Sequence, residues 1–241
     1  MKSPASRSRL GNKVALITGG NHGIGLAIAR ALVAEGCAVV ISGRNEASLK
    51  KAATQLGRKT VPIVCDVRNP EAVDRLFADI RKRFRNLDIL INNAGVAHAN
   101  WRVDQLPVEA WKEVIATNLT GMFLVTRAAL PLLKRGAAIV NNLSIAAKRV
   151  FPGSSAYNAS KHGALGFTNT LREEVRVRGI RVMALMAGAT DTDIWKSFWP
   201  QAPRKKMISP ATVAQAVVNA LSLPDDGRVE ELLILPSAGT L

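Results

Sequence analysis

Tyrosine is all but missing from this sequence: Tyr157 stands alone among 241 residues. Acids are scarce as well, 18 against 33 lysines and arginines, which leaves a formal net charge of +15. Histidine occurs three times, as His22, His98 and His162, without metal-ligand spacing, so no metal site is expected. The two cysteines, Cys37 and Cys65, fall at opposite ends of two predicted neighbouring strands. That separation exceeds the ~7 Å between Cα atoms that a disulfide tolerates, so both read as reduced thiols of a cytoplasmic protein. Long hydrophobic runs are lacking too. Arg127 interrupts the longest candidate, "GMFLVTRAALPLL", short of the ~18 residues a membrane helix needs, and no membrane association is expected. Residues 1–12 are basic and Ser-rich without an apolar core, and read as a flexible lead rather than a signal peptide.

The excess positive charge suits phosphorylated ligands, nucleic acid, an acidic protein or a membrane surface. The basic residues are scattered, however, among Arg81, Lys82, Arg83 and Arg85, then Arg176, Arg178 and Arg181, then 204–206. None of these groups forms a nucleic-acid motif, and a solvated basic surface is the plainer reading.

Residues 13–241 alternate strand-like and helix-like segments with no repeat, linker or low-complexity stretch. Strands are expected at 13–18, 37–42, 60–65, 87–92, 137–143, 180–186 and 229–235. Helices are expected at 23–35, 46–57, 70–85, 108–134, 155–178 and 210–222. Apolar strands separated by helices specify a parallel sheet covered on both faces. The predicted fold is a single α/β domain of Rossmann type, a doubly wound parallel sheet of about seven strands, with its ligands at the carboxyl ends of the strands.

Directly after the first strand comes "TGGNHGIG". Glycines 19, 23 and 25 permit a tight turn and close approach of a pyrophosphate, and the next helix turns its free N–H groups toward the phosphates. Asn21, His22 and Ile24 belong to the same loop; an exposed His22 is the alternative to one facing phosphate. The second strand ends "ISGRN". Gly43 stands where an NAD-preferring site places an acid, and Arg44 follows. Arginine there pairs with a ribose 2′-phosphate, so NADP(H) is preferred over NAD(H), which stays possible. Asp66 and Val67 close the third strand at the adenine edge, where Asp66 either accepts from the adenine amino group or caps a turn before Pro70.

Together these residues resemble the short-chain dehydrogenase/reductase family over nearly the whole chain from Lys13. The glycine motif appears as Thr18, Gly19, Gly23 and Gly25; N-N-A-G as Asn92, Asn93, Ala94 and Gly95; the helix asparagine as Asn118; the serine as Ser144; and Y-x-x-x-K as Tyr157 and Lys161. The family's Pro-Gly after the sixth strand is Ala187-Gly188 here, and its frequent Gly-Gly ending is absent. The resemblance implies hydride transfer between a nicotinamide and a carbonyl or secondary alcohol. In that reading Tyr157 is the general acid or base, Ser144 orients the oxygen, and Lys161 tunes the tyrosine and bonds the nicotinamide ribose. Asn118 holds a water in a proton relay, Gly188 and Thr192 contact the cofactor, and the chain forms a homodimer or homotetramer through its two long helices. One helical turn separates Tyr157 from Lys161, so an ammonium beside the phenol, together with a nearby nicotinamide cation, is expected to lower its pKa from ~10.

Asn118 falls on the apolar stripe of Trp111, Val114, Ile115, Met122, Val125 and Ala129, where a buried amide bonded to helix backbone is the alternative role. The substrate pocket is expected to draw on 94–101, 145–151 and 188–199, with Trp195, Phe198 and Trp199 on one face of a mobile lid or of a subunit contact. Lys148 and Arg149 are expected near the pocket mouth, where an acidic acyl-carrier protein would dock. The alternatives to a small-molecule reductase are a 3-oxoacyl thioester (acyl-carrier-protein) reductase and, in another class, a non-catalytic cofactor sensor or nucleic-acid-binding member of the fold.

Overall fold

The structure, a computed structural model, describes residues 9–239. Most of the expected lead, residues 1–8, lies outside the described residues. Its last part does not: Leu10 is buried in the core, and Cys37 Sγ donates to its carbonyl at 3.1 Å.

Seven strands form one sheet: β1 (Val14–Thr18), β2 (Ala38–Gly43), β3 (Thr60–Val64), β4 (Leu87–Asn92), β5 (Leu133–Asn142), β6 (Arg181–Ala187) and β7 (Glu231–Ile234). Their order is β3-β2-β1-β4-β5-β6-β7, and every pair is parallel. The order reverses direction at β1, which lies between β2 and β4. The loops leaving β1 and β4 therefore diverge and open a crevice at the carboxyl edge, the place where such folds bind ligands.

Eight α-helices are found among the described residues: α1 (Gly23–Ala34), α2 (Glu46–Leu56), α3 (Pro70–Phe84), α4 (Val108–Ile115), α5 (Gly121–Ala129), α6 (Ser155–Arg176), α7 (Trp195–Phe198) and α8 (Pro210–Leu221). Residues such as Ile17, Val39, Ile41, Ile89 and Val140 pack under α1, α2 and α8. On the other face Leu16, Val40, Leu90 and Ile139 pack under α3, α5 and α6. Alternate residues of each strand serve opposite cores, which is why the strands read as continuous apolar runs.

The expected helix over 108–134 is not regular. A π-helical turn, Ala116–Thr120, separates α4 from α5, a 3₁₀ turn containing Pro131 ends the stretch, and β5 starts already at Leu133. Pro131 has no N–H to continue the helix. The wide π turn adds a residue per turn and rotates the upstream face, so Trp111 is 40% exposed while Asn118 is fully buried. Over its 25 residues, Val108–Leu132 is long and apolar enough to cross a bilayer, which corrects the expectation that no segment is. Half of its most apolar window is buried inside the protein, where it covers the sheet.

Candidate active site

Loops leaving β1, β4, β5 and β6 meet above the carboxyl edge around a cavity of about 770 Å³. Its lining includes His22, Gly23 and Ile24 from the first loop, Asn93 and Gly95 from the fourth strand's loop, Ser144 after β5, Tyr157 and Lys161 from α6, and Gly188 and Thr192 after β6.

The glycine loop is fastened by the motif across the crevice. Thr18 Oγ1 accepts from the backbone N–H groups of Asn93 and Ala94, each at 3.0 Å. Asn93 Nδ2 donates back to the carbonyls of Thr18 at 2.9 Å and Gly19 at 3.0 Å. Gly25 lies so close beneath that a Cβ would overlap both Asn93 Nδ2 and the Gly19 carbonyl. The third glycine is thus required by the asparagine clamp as well as by any phosphate. At the start of α1, His22 is extended and offers no side-chain cap, and the first turn carries no acid. Gly23 and Ile24, which open this helix, line the cavity, an arrangement that fits a pyrophosphate.

A row of amides continues inward. Asn142 Nδ2 donates to Asn93 Oδ1 at 2.8 Å, and the Asn142 carbonyl accepts from Lys161 Nζ at 3.1 Å. Below it, Asn92 Nδ2 donates to Asn141 Oδ1 at 2.8 Å and Asn141 Nδ2 donates to Thr168 Oγ1 at 2.9 Å. Sequence reading missed Asn141, Asn142 and Thr168. The available signal was "VNNL", two amides ending an apolar strand where burial demands partners.

Tyr157 and Lys161 share one face of α6, with Lys161 Nζ 5.5 Å from the phenol ring centroid. Burial lowers the Lys161 pKa to about 8. Burial also raises the Tyr157 pKa above its ordinary value, and a hydrogen bond with the Ser144 hydroxyl offsets part of that rise. This corrects the expected lowering for the chain without its nicotinamide: desolvation of the phenol outweighs the hydrogen bond from Ser144. The result is a phenol that stays protonated at neutral pH. Ser144 Oγ also accepts from the Ala146 N–H at 3.1 Å, which fixes the serine beside the tyrosine. Asn158, another residue missed in the sequence, holds the loop beyond: it donates to the carbonyls of Ala146 and Arg149 and accepts from the Phe151 N–H at 3.1 Å.

Asn118 stands behind the cavity wall. Its Oδ1 accepts from the Val96 N–H at 2.8 Å, and its Nδ2 donates to the Val96 carbonyl at 2.9 Å and to Ser160 Oγ at 3.1 Å. It bonds a neighbouring loop and Ser160 of α6 rather than its own helix, so the helix-backbone alternative is corrected.

The remaining expected residues sit toward β2 and β3, away from the tyrosine. Asn21 Nδ2 donates to Ser48 Oγ at 2.8 Å. A Cβ on Gly43 would lie 2.9 Å from Asn21 Oδ1, so the position that an acid would occupy is crowded. Arg44 reaches Glu113 of α4 at 3.8 Å. Asp66 accepts from the backbone N–H and guanidinium of Arg68, whose hydrogen bonds hold its carboxyl below the usual range. Its lone pairs are therefore engaged within its own turn. Val67 is buried against Gly121.

Trp195, Phe198 and Trp199 form the cluster expected of them. Their rings lie 5.6 and 6.3 Å from that of Trp195, Phe198 lies 6.2 Å from Tyr157, and all three line the cavity. Trp195 Nε1 donates to the Thr190 carbonyl at 2.8 Å, tethering the segment. Trp101 is outside the lining and instead stacks on buried His98. Pro152, Ser154, Leu235 and Pro236 line the cavity unforeseen. Lys148 and Arg149 are likewise absent from the lining, and Lys148 pairs with Glu231 of β7.

A nucleotide-binding glycine loop, a Ser-Tyr-Lys group and a crevice at the strand reversal together define a nicotinamide-dependent oxidoreductase. The model of the short chain dehydrogenase family matches residues 13–203, and this chain belongs to that family. A 3beta-hydroxysteroid dehydrogenase of Mediterraneibacter gnavus is 38% identical over 77% of this chain and 69% of its own length. An uncharacterized oxidoreductase of Staphylococcus aureus strain MW2 is 35% identical over 94% of this chain and 98% of its own. Among solved structures, a 3-ketoacyl-(acyl-carrier-protein) reductase from Brucella melitensis complexed with NADH superposes with a TM-score of 0.87 at 27% identity, covering 95% of this chain and 98% of that one. An alcohol dehydrogenase from the archaeon Thermococcus sibiricus complexed with 5-hydroxy-NADP gives 0.87 at 33% identity, covering 93% and 97%.

Proposed function

We propose that the protein is an NADP-preferring reductase of small, neutral, apolar carbonyl compounds, with Tyr157 as general acid. The observation that carries this reading is the convergence of Ser144, Tyr157 and Lys161 on one cavity with the glycine loop. When bound, the nicotinamide supplies the hydride. The chain's own part is to hold the carbonyl and manage one proton. Ser144 and Tyr157 hydroxyls donate to the carbonyl oxygen, and the phenol gives up its proton as alkoxide charge develops. A phenol whose pKa is raised by burial is in the donating form at pH 7, which suits reduction. Lys161, largely charged at pH 7 with a pKa of about 8, then offsets the phenolate formed.

Around the reacting point the walls are Ile145, Phe151, Ile194, Trp195, Phe198 and Trp199. Apart from His22 at the phosphate end and the reacting Tyr157, Lys161 is the only titratable side chain in the lining among the described residues. A cationic substrate would meet no acid in that lining and an anionic one only Lys161, which already donates to the Asn142 carbonyl, so neutral ketones or aldehydes fit best. The aromatic segment acts as a lid over them. Engagement of Lys148 by Glu231 weighs against the carrier-protein alternative, although the Brucella structure keeps that reading open. Exposed Trp111 and Phe123 on the helical face favour self-association, and two buried free thiols accord with a reducing, cytoplasmic setting. A panel of neutral and anionic carbonyl compounds, followed by NADPH and NADH absorbance, tests the reading. Turnover confined to anionic ketones, or to NADH, would contradict it.

A further inference from the structure

Two guanidiniums converge on one carboxylate oxygen at the edge of the sheet. Arg44 Nη1 and Arg68 Nη1 each lie 3.8 Å from Glu113 Oε1. Arg44 follows β2 and Arg68 follows β3, so the two cations come from adjacent strand ends, while Glu113 reaches over from α4. Neither contact is a close hydrogen bond. The Glu113 side chain is 49% exposed, and a half-exposed pair at this distance contributes little to stability. Arg68 is held from behind. Its Nε and Nη2 donate to Asp66, the latter at 2.6 Å, which leaves Nη1 pointing toward Glu113. The Arg68 fork is thus oriented by Asp66, and its outer nitrogen and that of the half-exposed Arg44 bracket a point that an anionic oxygen occupies.

We propose that Arg44 and Arg68 together form the subsite for the ribose 2′-phosphate of NADP, and that Glu113 is an internal anion occupying it until the phosphate displaces it. The inference rests on the NADP reading given above and assigns two residues that reading lacks. Arg68 is a second specificity-determining cation, and Asp66 positions it. Glu113 acts in the opposite sense: it competes for the same cations and lowers NADP affinity without meeting a dinucleotide that has only a 2′-hydroxyl. Gly43 is consistent with this arrangement, because a bulkier residue there would press on Asn21 beside the same strand end.

The test is equilibrium binding of NADP⁺ and NAD⁺ to the full chain, read by tryptophan fluorescence or calorimetry at about 50 mM and about 500 mM salt. Glu113→Gln should tighten NADP⁺ about threefold to tenfold and move NAD⁺ less than twofold. Arg68→Met should weaken NADP⁺ about tenfold and NAD⁺ less than threefold. Both effects should shrink at high salt, where exposed charges are screened. Opposite changes from two touching residues are not the signature of general damage to the fold. If Arg44→Ala abolishes the NADP preference while Glu113→Gln and Arg68→Met leave it unchanged, the NADP reading survives and this inference fails. If the unaltered protein binds NAD⁺ more tightly than NADP⁺, both fail. Weaker NADP⁺ binding by Glu113→Gln would also overturn the inference.

Discussion

Replacing Asn118 by alanine removes three hydrogen bonds from a site with no solvent access. The Val96 N–H loses its acceptor at 2.8 Å, the Val96 carbonyl loses a donor at 2.9 Å, and Ser160 Oγ loses a donor at 3.1 Å. Ser160 Oγ still donates to the Tyr157 carbonyl at 2.7 Å, so its loss is the smallest. An unsatisfied buried backbone group costs about 1–3 kcal/mol. Two such groups, partly relieved by a water entering the space vacated by the amide, give an expected loss of about 2–4 kcal/mol. For a chain of this length each 1 kcal/mol corresponds to about 2–4 °C, so Tm should fall by roughly 5–15 °C. The assay is thermal unfolding followed by circular dichroism, without cofactor, so that no catalytic role enters. A fall below about 2 °C would refute the reasoning, because it would mean that Val96 finds other partners and that Asn118 acts only through a relay. Asn118→Asp gives a second check. Its carboxylate accepts from the Val96 N–H but repels the Val96 carbonyl, so it should be no more stable than the alanine variant.

Lys161 should make stability depend on pH in a defined sense. Its folded pKa of about 8 lies below the ordinary lysine value, so folding disfavours its charged form. The unfolded chain therefore binds more protons between about 8 and 10.5, and the penalty, full below 8, fades across that window. Lys161→Met should be more stable than the unaltered protein at pH 7 by an amount on the order of 2 kcal/mol, shrinking in urea melts at pH 9.5; a difference independent of pH would contradict this. Burial pushes both thiols, Cys37 and Cys65, up to about 11. A disulfide-exchange reagent at pH 8 should thus label no thiol in the folded protein and two after denaturation; rapid labelling without denaturant would count against their burial. For the lid, Phe198→Ala should raise KM for apolar ketones about tenfold with little change for acetone-sized ones, and an equal effect on both would assign the aromatic cluster to folding instead.

The strands were legible because each serves two cores, so apolar runs such as "VALIT" and "AVVISG" have no polar face to obscure them. Tyr157, Lys161 and the glycines were legible because their chemistry fixes their spacing along one loop or one helical turn. What the spacing could not reveal is tertiary. The clamp from Asn93 to the glycine loop joins residues 75 apart, and the pairing of Arg44 and Arg68 with Glu113 joins three separate elements. The π turn at Ala116–Thr120 adds one residue to a helical period that otherwise reads as continuous, and so displaces Trp111 from the face where a regular helix puts it. The Tyr157 pKa went the other way from its expectation because spacing reports a neighbouring charge and not how deeply both groups are buried.

The central claim is that the Tyr157 hydroxyl delivers the proton. Tyr157→Phe keeps the ring, its contact with Phe198 and the α6 packing, and removes one oxygen. Single-turnover oxidation of NADPH with a neutral ketone found by the substrate panel, together with the Kd for NADPH, separates chemistry from binding. The account predicts a rate at least ~10²-fold lower with Kd changed less than about threefold. A rate within threefold of the unaltered protein would contradict it.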